Sequence, residues 1–358
     1  MKLMKATRGA LAVMFFVCAG YTVGGCDSSG GGGGDDDQPA VTDDGGNLVR
    51  DDAGNVVRVD AALVPDGGGV AVDGAVTPGA DGAVMAGSPA AAGPFAATTV
   101  MATVMRGSRS VPVIAHVPTR PAGQLSPAVL FMPGFMLQTS MYLPLAERIA
   151  SHGVIVVRVD TSGSDHAAMA LDVGAALDWA VAAGGPLAGK LDVAKVALAG
   201  HSLGGKLATM AAFANRTRVA ALLALDPVNS NSPDVVPDQV TPLTMPVGFM
   251  GETVNGSGGF MPCAPTDSNF ETFYAAATGA SWAAKWDLTG ADHMDFVDVC
   301  NFLCSVCPDG PADDAAVRGT VKTLAVAFLR RHLLGDAAMD AWLTGASLPS
   351  GVVVQKRP

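Results

Sequence analysis

Gly200-His201-Ser202-Leu203-Gly204 forms a G-x-S-x-G pentapeptide that Gly205 extends. It follows the apolar run Val193 to Ala199, which reads as a strand, and precedes Leu203 to Ala214, which reads as a helix. That context predicts a sharp strand-to-helix elbow that lifts the serine hydroxyl into an exposed position. Glycines two residues before and after the serine let neighbouring backbone pass close by. The helix N-terminus also turns amides toward a developing oxyanion. The chemistry implied is nucleophilic attack by Ser202 on a carbonyl and passage through an acyl-enzyme. His201 is expected to point away from the reacting side and to be structural.

An alkyl hydroxyl needs a base, and the base needs an orienting carboxylate. With a serine on such an elbow, the chain order is serine, acid, histidine. Two histidines follow Ser202. His332 ends a long amphipathic segment beside Arg330 and Arg331, where a solvated or capping role is expected. His293 lies in Gly290-Ala291-Asp292-His293-Met294, just after the last candidate strand, and is the expected base. Two acids compete for the third place. Asp226 ends the strand Val219 to Leu225 and is stiffened by Pro227, whereas Glu252 opens a Gly-rich loop after Met245 to Met250. Asp226 is favoured, and Glu252 stays open as the alternative. Asp292 and Asp295, which flank the base, are expected to shape its loop.

The oxyanion needs two backbone donors. The amide of Leu203 is one, and that of Phe135, in Met132-Pro133-Gly134-Phe135-Met136, is the expected second, with Gly134 allowing the turn. Cys263, Cys300, Cys304 and Cys307 are read as two disulfides of open pairing that brace the segment after His293. Zinc held by the Cys300-x3-Cys304-x2-Cys307 cluster is the alternative reading, since no separate histidine completes a site. Neither a cofactor nor a metal is expected to take part in the reaction.

The elements that must position these residues alternate between strands and helices. A hairpin of Thr98 to Met105 and Val111 to Val117 turns near Gly107. Then come strand Val129 to Met132, helix Met141 to Ser151, strand Val154 to Val159 and helix Ala167 to Ala183. Beyond the elbow follow the strands Val219 to Leu225, Met245 to Met250 and Trp282 to Leu288, with a closing helix from Ala316 to Leu334. Short apolar strands linked through helices predict an α/β, doubly wound, mostly parallel sheet.

The amino-terminal quarter differs in composition. Lys2, Lys5 and Arg8 precede the apolar run Ala10 to Ala19, and Val23-Gly24-Gly25-Cys26 closes it. This reads as a signal peptide over residues 1–25 with Cys26 as the lipidated residue, which predicts an extracytoplasmic, membrane-anchored protein. Residues 26–94 are rich in Gly and Asp and contain the near-repeats Asp43 to Arg50 (DDGGNLVR) and Asp51 to Arg58 (DDAGNVVR). A calcium-binding repeat fits the composition but not the spacing, so a flexible, self-repelling tether is expected there. The net charge of −11 is concentrated in that stretch. The remainder, a catalytic domain over residues 95–345 and a tail over 346–358, is close to neutral and carries no basic cluster for a nucleic-acid partner.

These residues resemble the chlorophyllase branch of the α/β-hydrolase family and, more distantly, cutinase-type polyester hydrolases. The resemblance runs from Ser126 to Asp336. It rests on AVLFMPGF (Ala128 to Phe135), ASHGVIVV (Ala150 to Val157), GHSLGGK (Gly200 to Lys206), LDPV (Leu225 to Val228), MPCAP (Met261 to Pro265), the DHMDF around His293 and the cysteine cluster. It implies an α/β-hydrolase fold, a serine carboxylic-ester hydrolase acting on a hydrophobic ester, and Asp226 as the acid, since chlorophyllases place theirs in LDPV. Leu203 stands where chlorophyllases usually carry arginine. An acyltransferase with the same triad, a peptidase and an inactive surface-binding lipoprotein are the competing functional readings.

Overall fold

The computed structural model describes residues 48–50, 56–58, 87–230, 232–254 and 263–357. The expected signal peptide and Cys26 lie outside the described residues. Two short strands, β1 (Leu48–Arg50) and β2 (Val56–Arg58), pair antiparallel with Leu48 opposite Arg58. They are the last three residues of the two near-repeats, so that part of the expected tether takes up strand structure.

Among the described residues, nine strands form the main sheet: β3 (Ala97–Arg106), β4 (Arg109–Pro118), β5 (Ser126–Met132), β6 (Ile155–Val159), β7 (Leu191–His201), β8 (Ala221–Leu225), β9 (Val247–Glu252), β10 (Ala283–Leu288) and β11 (Val352–Arg357). Their spatial order is β11-β10-β9-β8-β7-β5-β6-β4-β3. The six strands from β6 to β10 run parallel, and antiparallel pairs close the two edges. The chain moves from β5 outward to β6, then returns to β7 on the other side of β5. The winding reverses at the carboxyl ends of β5 and β7, the place where sheets of this kind form their ligand crevice.

The inner strands are apolar on both faces because both are covered. Ala128, Leu130 and Met132 of β5 pack in the core with α2 (His166–Val181), α3 (Leu203–Ala214) and α4 (Phe270–Ala276). Val129 and Phe131 face the opposite core, built with α1 (Leu143–Ser151) and α5 (Asp314–Leu333). The same alternation divides Leu222 and Ala224 from Leu223 and Leu225 on β8. This is the doubly wound architecture of an α/β-hydrolase, and most element bounds lie within two residues of expectation. The start of the helix expected from Met141 is a separate 3-10 turn, Thr139–Tyr142, with Pro144 in the first turn of α1.

Both domain ends need correction. Residues 87–94, assigned to the tether, pack on the domain: Arg330 Nη1 donates to the Gly87 carbonyl (2.8 Å) and Arg148 Nη1 to that of Ala90 (2.6 Å). Arg330 is itself buried against Asp336. The expected tail is also structural. Within the expected domain a short α6 (Asp340–Thr344) accepts the Trp286 indole N–H at the Leu343 carbonyl (2.7 Å); beyond it, in the expected tail, β11 adds itself antiparallel to β10.

Candidate active site

Strand register brings the candidate residues together. Met132 lies opposite Gly200, His201 opposite Leu225, and Leu225 opposite Met250, so Ser202 and Asp226 leave the sheet side by side, next to Gly251 within β9. Leu288 lies opposite Glu252, which sets the segment after β10 beside the same crevice.

The elbow is strained. Ser202 has φ 55° and ψ −121°, caps the start of α3, and keeps its amide on the Leu225 carbonyl at 2.9 Å. A side chain at Gly200 would run into the carbonyl of Gly204, and one at Gly204 into that of Met132, which is why both positions are glycine. Asp226 repeats the device with φ 42° and its amide on the Met250 carbonyl at 2.7 Å. Among the described residues, the non-glycine positions with left-handed φ are Ser202, Asp226 and Met136 (φ 59°), and all three flank the crevice.

His293 opens a 3-10 turn, His293–Phe296, with its ring between the other two side chains. Its Nε2 lies 2.9 Å from Ser202 Oγ and its Nδ1 2.6 Å from Asp226 Oδ2. The carboxylate can only accept, so the Nδ1 proton is donated to it and Nε2 is left as acceptor for the serine hydroxyl. Burial raises the pKa of Asp226, while His293 and the backbone amide of Glu252 pull it back down. Of the two acids weighed, Asp226 is the one hydrogen-bonded to the imidazole; buried Glu252 contributes its main-chain N–H to that carboxylate.

Asp292 and Asp295 shape the loop as expected. Asp292 accepts from the Met294 amide (2.8 Å) and the Gly310 amide (2.8 Å), and Asp295 accepts from the Asp292 amide (3.0 Å) in a capping box. Burial raises the Asp295 carboxyl to about 6. The cysteines form Cys263–Cys307 and Cys300–Cys304, with Cα separations of 5.6 and 5.7 Å. The first ties the loop after β9 to the loop after the histidine.

The Leu203 amide is the first of α3 and has no acceptor within the helix. Phe135 lies in the loop after β5, next to the left-handed Met136. The turn begins at Gly134, whose carbonyl accepts the Leu137 amide at 3.1 Å; a side chain there would sit 3.0 Å from Leu137 Cδ1 and 3.2 Å from His201 Nδ1, so glycine also eases a close approach. His332 lies away from this crevice, half-buried, with ring centroids 4.6 Å from both Trp282 and Phe328, rather than in solvent or at a cap. Burial lowers its pKa to about 4.

Two residues were not singled out in the sequence, and Glu252, weighed as an acid, takes part through its amide instead. Tyr142 reaches the buried His201 ring. Lys206, one turn beyond Ser202, is buried with Nζ 2.6 Å from the Ser230 carbonyl, its pKa lowered to about 8 by burial. Only Lys206 carried a signal, as a charge inside an otherwise small and apolar helix.

The chlorophyllase family model matches residues 91–347, more than half of the chain. Chlorophyllase-1 of Arabidopsis thaliana is 29% identical over 245 residues, covering 59% of this chain and 74% of its own. Cutinase est1 of Thermobifida alba is 28% identical over 170 residues (47% of this chain, 53% of its own). The bis(hydroxyethyl) terephthalate hydrolase of Streptomyces coelicolor is 29% identical over 181 residues (50% and 54%). The chain belongs to the chlorophyllase family and is a carboxylic-ester hydrolase of the α/β-hydrolase fold.

Proposed function

We propose that the protein hydrolyses hydrophobic carboxylic esters through an acyl-enzyme on Ser202, with His293 as base and Asp226 as its orienting acid. The observation that carries this reading is the unbroken line from Asp226 Oδ2 through His293 to Ser202 Oγ, at 2.6 and 2.9 Å. His293 Nε2 takes the serine proton as Oγ attacks the ester carbon, and the new oxyanion is met by the Phe135 and Leu203 amides. The imidazolium, stabilised by Asp226, returns the proton to the departing alkoxide. Water then repeats the cycle on the acyl-enzyme and frees the acid.

An apolar substrate is supported by the surface beside the nucleophile, where Phe135 and Met136 are 59% and 69% exposed. The cutinase and bis(hydroxyethyl) terephthalate hydrolase relatives are also named for ester substrates. Leu203 in place of arginine argues for an ester class broader than chlorophyll. Two disulfides favour an oxidising compartment, in keeping with a leader that ends at Cys26.

The test is hydrolysis of p-nitrophenyl esters from acetate to palmitate by the purified protein, with Ser202→Ala beside it. Activity abolished by the substitution supports the assignment, and the preferred chain length sizes the acyl site. A folded wild-type protein that neither hydrolyses these esters nor reacts with a fluorophosphonate overturns it.

A further inference from the structure

We propose that Tyr142 and His201 are positioning residues that register the loop bearing the Phe135 amide against the loop bearing His293. The inference rests on the assignment of Ser202, His293 and Asp226 made above. Its basis is a buried chain of three hydrogen bonds that spans the floor of the site. His201 Nε2 lies 3.0 Å from the main-chain carbonyl of His293, His201 Nδ1 lies 2.7 Å from the Tyr142 hydroxyl, and the Gly134 amide donates to that hydroxyl at 3.2 Å.

The direction of the chain follows from what each group can do. A carbonyl oxygen only accepts, so His201 Nε2 carries the proton. Complete burial holds the His201 pKa well below its ordinary value, assisted by His293, so the ring is neutral. Its Nδ1 is then an acceptor and takes the Tyr142 O–H, which leaves the phenolic oxygen free to accept the Gly134 N–H. Both side chains are at most 1% exposed, so water is excluded from all these links.

The mechanical consequence concerns the amide one residue further on. Gly134 is packed against the His201 ring, and the chain turns left-handed at Met136. The Phe135 amide lies between these fixed points. Fixing Gly134 on Tyr142 therefore fixes the direction of the Phe135 N–H. The same imidazole holds the backbone of His293 and lies beside its ring, at a centroid distance of 4.7 Å. One fully buried side chain thus sets both the oxyanion donor and the base relative to Ser202, its immediate neighbour. The elbow motif has placed His201 off the reacting side, as expected, but its role reaches beyond packing.

The test uses the full-length protein and the variants Tyr142→Phe, His201→Gln and the double substitution. Ester turnover is measured per site titrated with fluorophosphonate, together with affinity for a trifluoromethyl ketone, which mimics the tetrahedral adduct. Tyr142→Phe should lower kcat about 10- to 100-fold while leaving KM nearly unchanged, and weaken the ketone by the same factor. The double variant should be no worse than the poorer single one, because both break one chain. The acid limb of the pH–rate profile should stay in place, since His201 takes no proton during turnover. Wild-type kcat and ketone affinity in folded Tyr142→Phe, additive losses, or a shifted acid limb each overturn the proposal.

If the variants fail to fold, the imidazole nitrogen chemical shifts of the wild-type protein decide instead. They should show His201 protonated on Nε2 alone across the neutral range, and the opposite tautomer or a titration overturns the proposal. Failure of the wild-type protein to react with esters or fluorophosphonate tells against the underlying assignment, and the tautomer measurement still judges the chain.

Discussion

Replacing Asp226 by asparagine separates the two carboxylates that the sequence leaves in competition. The Asp226 carboxylate, 2.6 Å from His293 Nδ1, forces the imidazole proton onto that nitrogen and leaves Nε2 able to accept from Ser202 at 2.9 Å. In the mechanism proposed above it also faces the imidazolium formed in the transition state. At roughly 4 Å between charge centres and an effective dielectric constant near 20, that attraction is about 4 kcal/mol, or about a thousandfold in rate. An amide that presents its NH2 to Nδ1 also inverts the tautomer, which brings the expected loss in kcat/KM to about ten thousandfold, or roughly 5 kcal/mol. Stability should move the other way. Burial raises the Asp226 pKa, so the ionised group is an internal cost that asparagine removes, and the melting temperature should hold or rise. Glu252→Gln keeps the main-chain N–H that Asp226 receives and should cost less than tenfold. The assay is p-nitrophenyl butyrate hydrolysis per titrated site, with near-ultraviolet dichroism to check folding. Asp226→Asn retaining a tenth of wild-type activity, or Glu252→Gln losing as much as Asp226→Asn, refutes the reasoning.

Three other outcomes are expected. Burial raises the Asp295 carboxyl from 3.8 to about 6, so its contribution to stability is complete below pH 3.8 and is lost as pH rises through about 6. Asp295→Asn keeps an acceptor for the Asp292 amide and should raise the unfolding free energy by up to about 3 kcal/mol at neutral pH and by nothing in acid, as read from urea melts. Cys263–Cys307 closes a span of 44 residues and Cys300–Cys304 one of 4, so by chain entropy their removal should cost about 4 and about 2 kcal/mol respectively. Equal melting shifts for Cys307→Ser and Cys300→Ser would contradict that ranking. Asp336→Asn strands the buried Arg330 guanidinium, which also holds the Gly87 carbonyl, and should cost about 3–5 kcal/mol in a chemical melt. A loss below 1 kcal/mol would show that the pair is solvated in solution.

What the sequence made legible is what short-range rules control. Ser202, Asp226 and the β10 segment that leads to His293 stand at or just after apolar strand ends, and strand ends in a parallel sheet converge on one edge. The choice between Asp226 and Glu252 was legible only in part: Pro227 and the LDPV stretch favour Asp226, but the two acids follow adjacent strands and the sequence does not show which side chain turns toward the imidazole. That turn depends on the left-handed φ of Asp226, which no local pattern announces. Tyr142 was hidden for another reason. It lies 59 residues from His201 in the chain, and within MYLPL it reads as one more apolar position. Arg330 enters the sequence reading only as a basic neighbour of His332, yet its partner Asp336 lies just past the helix and the pair is buried. The segment Val352–Arg357, within the expected tail, is a strand because β10 leaves an edge to be paired.

The site is held in place by two kinds of structure with different tolerance for change. Ser202 and Asp226 each occupy a left-handed conformation costing on the order of 1–2 kcal/mol, yet the amide of each still donates to the neighbouring strand, to Leu225 and Met250. The sheet therefore continues one hydrogen bond past the strand end while the side chain is turned out of it, and the strain is opposed by the most cooperative part of the molecule. The base and the Phe135 amide have no such support, because they lie on loops after β10 and β5. They depend on discrete fasteners: the Tyr142–His201 chain, the Asp292–Asp295 capping box, the Cys263–Cys307 bridge, and Asp298, which accepts the Leu145 amide at 2.9 Å and pairs with Lys322. Substitutions at those fasteners should reduce turnover before they reduce global stability. Substitutions beneath Ser202 should lose both together, since the nucleophile cannot shift without moving the central strands.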